Sequence, residues 1–229
     1  MADTLTEAQV DFTNAFNANR TVLAGFAKTQ SEAELHCVRD GFYLGMAKAL
    51  GLEEYDAVKK SIVEDYRVAA AAGTSGGFQQ TIESARAAIG WEGMVQSLMA
   101  RAAAVGSDLK GIWGGLETGR LEWIVAVRST HTLKYTLRTA VEGDKEKTDR
   151  DLLEAKMVWI FSLGTVLPDC KEAARAWGAV ACVQNSERPL DDFKPEAWDP
   201  RRTEWAALDL AVQAAAERAG TNLEEEWKM

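Results

Sequence analysis

Apolar residues return along most of this chain at intervals of three and four, the spacing that lays one stripe down the side of an α-helix. Between residues 53 and 72 they fall at Tyr55, Val58, Ile62, Val63 and Tyr66, and glycines follow at 73, 76 and 77. That pattern predicts a helix and then a hinge. Thr4 with Glu7, and Ser31 with Glu34, have capping-box spacing, in which a hydroxyl and a carboxylate three residues apart satisfy each other's free amides. The first opens a predicted helix carrying Val10, Phe12, Phe16 and Val22. The second opens one running to about Leu50, with Gly51 as its stop. Two shorter helices, about 78–89 and 91–105, are each bounded by glycine.

The span 106–119 places Gly111, Gly114 and Gly115 around Trp113 and reads as a loop or a broken helix. Further on, Thr148 and Asp151 cap a strongly apolar helix through Leu152, Leu153, Met157, Val158, Trp159 and Phe161, which Gly164 and Pro168 close. Asp169 can cap another to about Val183. An irregular stretch with Pro189 and Pro195 leads to Asp199-Pro200, an acidic N-cap before a proline that needs no amide partner. The helix it starts should reach about Ala219, with Gly220 beyond it. The expectation is an all-α, multi-helix bundle of about eight to ten helices. It forms a single domain over 1–229, with candidate halves 1–72 and 78–229 joined at 73–77.

One stretch fits two periods. Residues 123–141 carry Arg128, Lys134 and Arg138 with no Asp or Glu, and hold His131, one of two histidines. As a helix, the segment puts Arg128, His131, Tyr135 and Arg138 on one face. As a strand, it sets His131, Leu133, Tyr135 and Leu137 against Thr132, Lys134, Thr136 and Arg138, and its Val, Thr and Tyr content favours that form. Either way a cationic row lies beside an apolar one, where an anion or nucleic-acid backbone could rest. The alternative is a buried element whose long cations reach out to acidic neighbours.

Charge narrows the picture. The 229 residues hold 35 acids against 26 Lys and Arg, a formal charge of −9, which opposes non-specific nucleic-acid binding through overall charge but leaves room for a local cationic groove. No apolar run approaches the roughly 20 residues a membrane helix needs, and the first residues lack a secretory pattern. Cys37, Cys170 and Cys182 are widely spaced without a CxxC pair, so free thiols are expected. The expected location is the cytoplasm or a virion, without secretion or a membrane partner. Eight tryptophans are many for this length; core packing and subunit interfaces are the two uses that enrich them.

No catalytic constellation emerges. Gly73-Thr74-Ser75-Gly76-Gly77 matches the G-x-S-x-G elbow in letters, but an Ala-rich helix precedes it where that turn needs a buried strand. His36 and Cys37 are adjacent, so a helix cannot aim both at one metal, and no other ligand spacing appears. The paired acids, among them Glu224–Glu226, read as solvated surface. No cofactor, metal or enzymatic activity is expected. Arg201-Arg202 is sharper: two cations in a helix's first turn oppose its macrodipole, a cost offset if the helix start binds an anion, or if the pair answers Asp199 and Glu204.

The run Trp198-Asp199-Pro200-Arg201-Arg202-Thr203-Glu204-Trp205-Ala206-Ala207, continuing through an apolar helix to Gly220, resembles a segment of rod-shaped plant-virus coat proteins. In that family an Arg-Arg pair opens the last long helix of a four-helix bundle against the RNA backbone, and acidic subunits assemble into helical rods. The resemblance implies that Arg201 and Arg202 contact RNA and that Glu204 matches a nearby acid. It covers about 20 of the 229 residues, the chain is longer than typical members, and the residues just after the arginines differ. The first two-thirds would equally suit helical nucleoproteins of segmented negative-strand RNA viruses.

The leading expectation is therefore a self-assembling structural protein of coat or nucleoprotein type that packages single-stranded RNA through its backbone. Its contacts would be Arg128, Lys134, Arg138, Arg201 and Arg202, with Tyr135 stacking on a base and Trp198, Trp205 and Trp227 anchoring interfaces between copies. The alternative is an acidic helical adaptor or regulator that binds a protein and keeps its cations in internal pairs. A third reading is a small-ligand binder or enzyme with a pocket between helical halves.

Overall fold

The computed structural model describes residues 5–73, 76–142, 149–181 and 199–229, and over these the chain is all-α with no strand. Eleven α-helices are present among the described residues: α1 (Glu7–Ala18), α2 (Arg20–Ala24), α3 (Glu32–Ala49), α4 (Glu53–Ala71), α5 (Phe78–Ala87), α6 (Trp91–Ala104), α7 (Leu109–Glu142), α8 (Asp149–Val166), α9 (Lys171–Ala181), α10 (Thr203–Arg218) and α11 (Leu223–Lys228). None of the described helices is long and apolar enough to cross a membrane. The chain divides into two compact units between Glu117 and Thr118, within α7. The glycines expected to hinge the protein, from Gly73 to Gly77, fall inside the first unit, and Thr74 and Ser75 lie outside the described residues.

In the first unit the caps follow sequence logic with two shifts, one of which is that the Glu34 carboxylate accepts from the Gln30 amide at 2.6 Å and not from that of Ser31. The N-terminal capping box is built by Thr6 and Gln9, each side chain meeting the other's backbone amide, rather than by Thr4, which lies outside the described residues. Ser31 caps α3 by accepting from the Glu34 amide, and Gly51 ends it at a φ of 62°, where a side chain would be strained. The core gathers on Trp113 of α7, whose ring meets Phe26, Phe42 and Tyr43 edge-on at centroid distances of 6.0, 5.5 and 6.3 Å. Arg39 on α3 bridges Asp40 and Glu117 at 3.0 and 3.1 Å.

Residues 106–119 correct the expectation of a loop. From Leu109 the helix runs unbroken for 34 residues through Gly111, Gly114, Gly115 and Gly119. Asp108 caps it by accepting from the Gly111 amide at 2.9 Å. Each glycine costs about 1 kcal/mol relative to alanine, but Leu109 and Trp113 are only 2% exposed, and burial of that order outweighs the propensity penalty.

Residues 123–141 are helical throughout, which settles the open choice of period. Trp123, Ala126, Thr130, Lys134 and Leu137, spaced by three and four, form the buried line. The hydroxyls of this segment bond backward along the helix: Ser129, Thr136 and Thr139 donate to the carbonyls of Val125, Thr132 and Tyr135.

The second unit packs α8, α9, α10 and α11 with residues 118–142 of α7 around a core of Trp123, Met157, Trp159, Leu163, Trp177, Trp205, Leu208, Val212 and Trp227. Gly164 of α8 sits where a Cβ would come within 2.6 Å of a Leu208 methyl and 3.3 Å of the Ala174 Cβ, so α8 and α10 approach closely there. The start of α10 is a second correction. Pro200 and Arg201 form a turn, Arg202 occupies the N-cap, and helix begins at Thr203. Asp199 caps that turn, accepting from the Arg201 amide at 2.9 Å.

Candidate functional site

The expected RNA contacts do not converge on one open surface. Lys134, 5% exposed, points into the second unit: its ammonium donates to the Glu226 carbonyl oxygen at 2.7 Å and lies 5.6 Å from the Trp159 ring centroid. Burial lowers its pKa, opposed by the charge of Glu226 and reinforced by Arg138. This corrects the expectation of a phosphate contact, because an ammonium held inside the unit has no access to one. Arg138 donates to the Lys228 carbonyl at 2.8 Å. Arg128, His131 and Tyr135 all face outward, with Tyr135 66% exposed.

Arg201 folds back on Asp199, its Nε and Nη2 donating to the two carboxylate oxygens at 2.8 and 2.9 Å. Those bonds and the backbone amide bring the Asp199 pKa down to about 2. Arg202 sits half-buried at the α10 N-cap. No anion-directed convergence of the two guanidinium groups is needed to explain the pair.

Trp205 and Trp227 are likewise corrected as interface anchors. Each is 5% exposed within the second unit. Trp205 packs edge-on to Trp177 at 5.2 Å and Trp227 lies 5.4 Å from Trp159. Trp198 lies outside the described residues.

Two residues that the sequence concealed explain the inward cations. Arg120, 1% exposed, donates to the Ala219 carbonyl at the end of α10. It lies 14 residues before Lys134, almost four full turns, so the two share a face. Glu226, expected on the surface, is 5% exposed and accepts from the Trp123 indole at 3.1 Å. Arg120, Lys134 and Arg138 thus supply donors to carbonyls at the C-terminal ends of α10 and α11, groups that a helix cannot satisfy internally. The signal for α11 was Asn222 three residues before Glu225, the N-cap spacing realised by a 2.9 Å bond.

Among the described residues the second unit holds a groove of about 770 Å³ between α8 and α10, lined also by Asn222, Leu223 and Glu224 at the start of α11. Its floor is Met157, Ile160, Trp205 and Leu223, each 5% exposed or less. Its rim carries Leu153 and Leu210, 39% and 69% exposed. The ionisable lining is Asp209, Glu217 and Glu224 against Lys156, and Lys156 pairs with Glu224. Partial burial raises the Asp209 pKa, partly offset by Lys156 and by Gln213, which donates to the carboxylate at 2.7 Å. No three metal-ligating side chains converge among the described residues. The arrangement can hold an apolar surface and a positive charge at once.

Comparison with protein-family models, with curated proteins and with solved structures finds no match to this chain.

Proposed function

We propose that the chain is an acidic helical adaptor that grips a protein partner in the groove between α8 and α10. The observation that carries this reading is the groove itself: exposed leucines at 153 and 210 stand over a buried Trp205 floor. Exposed apolar side chains gathered around a concave surface mark interaction sites. The burial of Lys134 supports it from the other side, because an RNA coat would need that charge outward. Light scattering with absorbance at 260 and 280 nm tests it directly. The expected result is a monomer or dimer without nucleic acid, and a captured partner that is lost from the Leu153→Glu, Leu210→Glu double variant. A large particle with salt-sensitive nucleic acid overturns it.

A self-assembling coat or nucleoprotein is the second reading. One observation favours it: the outward face of α7, through Val125, Arg128, Thr132, Tyr135 and Thr139, carries no acid on a chain of net charge −9. It predicts that Arg128→Ala together with Arg201→Ala and Arg202→Ala strips RNA from a particle.

A further inference from the structure

We infer that the groove's partner is an amphipathic helix bearing a basic residue, seated with its apolar side on Leu153 and Leu210 and its cation against Asp209. This rests on the adaptor reading and names the chemistry of the partner.

The shape selects a helix. The α10 side of the groove extends from Trp205 to Glu217, a rise of about 18 Å along the helix, which matches about three turns of a docked partner. An exposed leucine on each side of a buried floor, Leu153 on α8 and Leu210 on α10, accepts apolar residues spaced i, i+3/i+4 and i+7. An added strand has no place to pair, since the described residues include no sheet edge. The charge selects a base. Three carboxylates face one ammonium, and that ammonium is held by Glu224. Asp209 is half-buried in a lining that includes Ala206 and Leu210, and burial outweighs its bond from Gln213 and the charge of Lys156, so a partner's cation would relieve the remaining cost. The same carboxylates repel phosphate, which argues against nucleic acid here. A second copy would bring another −9 of charge.

Three fluorescein-labelled helical peptides test this on the full chain. They share one leucine spacing and carry Lys, Gln or Glu at the position facing Asp209. Polarisation titrations should show saturable binding of the Lys peptide, about tenfold tighter than the Glu peptide, with the gap narrowing as salt screens the pair. Asp209→Asn should bring Lys and Gln peptides to equal affinity, and Leu210→Glu should abolish binding of the Lys peptide. Circular dichroism controls the fold of both variants. Lys-peptide binding that survives Leu210→Glu overturns the groove as the site. Equal binding of Lys and Gln peptides to the unaltered chain overturns the basic partner and leaves the adaptor reading standing. So does failure of all three peptides in a chain whose captured protein is still lost on Leu153→Glu, Leu210→Glu.

Discussion

The ammonium of Lys134 lies 2.7 Å from the carbonyl oxygen of Glu226, 92 residues further along the chain. A cation that sequence pattern assigns to an external phosphate is in fact the cap of the chain's own last helix. The carbonyl gains a charged donor, the ammonium regains part of the hydration lost on burial, and Trp159 offers its ring face to the same charge.

Lys134→Ala should therefore act on stability. It strips the Glu226 carbonyl of its donor and removes a neighbouring charge from the buried Glu226 carboxylate, an expected loss of about 2–4 kcal/mol. Lys134→Met keeps the stem on Trp159 and should lose roughly half as much. Urea unfolding midpoints measure both, and an alanine variant as stable as the parent would refute the capping role.

Trp205→Ala and Trp227→Ala each open the core of the second unit, and each should cost about 3–5 kcal/mol. The mass in solution should not change. A variant that dissociates an oligomer while keeping its unfolding midpoint would return these tryptophans to an interface.

Gly164→Ala adds a methyl 2.6 Å from a Leu208 side-chain carbon. α8 and α10 must then part or Leu208 must leave its rotamer, an expected cost of about 1–3 kcal/mol. Leu208→Ala in the same chain should recover part of that loss relative to the sum of the single changes, which a double-mutant cycle reads out.

Two aspartates should titrate in opposite senses. Asp199, depressed by Arg201 to about 2 from 3.8, contributes stability that is present above 3.8 and lost as pH falls through about 2. Arg201→Ala should bring its carboxyl resonance back toward the ordinary midpoint in an NMR titration. Asp209 is raised above 3.8 by burial, so its contribution is fully present below that value and is lost as pH rises through the folded pKa. The pH profile of stability in Asp209→Asn, subtracted from the parent's, should show that rising-pH loss. A flat difference refutes the raised value.

The helical class and most element bounds were legible because caps and periods are local. Ser31 at the α3 N-cap, Gly51 and Gly220 all stand where their chemistry places them. What was not legible is long-range. Nothing near Lys134 announces that its partner is Glu226, so the cationic row looked like a nucleic-acid surface. Glycine counts at 111–119 spoke for a break that the burial of Leu109 and Trp113 overrides. Asp199 and Pro200 marked a helix start correctly in kind but three residues early, because Arg201 closes a turn first. The groove was invisible for the same reason: Leu153 read as part of a strongly apolar helix, and nothing local to it showed that it would stand across from Leu210.

The pairs that fasten α10 and α11 to α7 span 90 to 103 residues: Arg138 to Lys228, Lys134 to Glu226, Arg120 to Ala219 and Trp123 to Glu226. For a helical protein these are distant partners, and closing such loops slows folding. During synthesis α7, α8 and α9 leave the ribosome well before residues 219–228, so Trp123 and Trp159 wait with their polar and aromatic complements unmade. The second unit can complete its core only when residues 219–228 have emerged, which makes that short stretch the step that commits this unit to its fold.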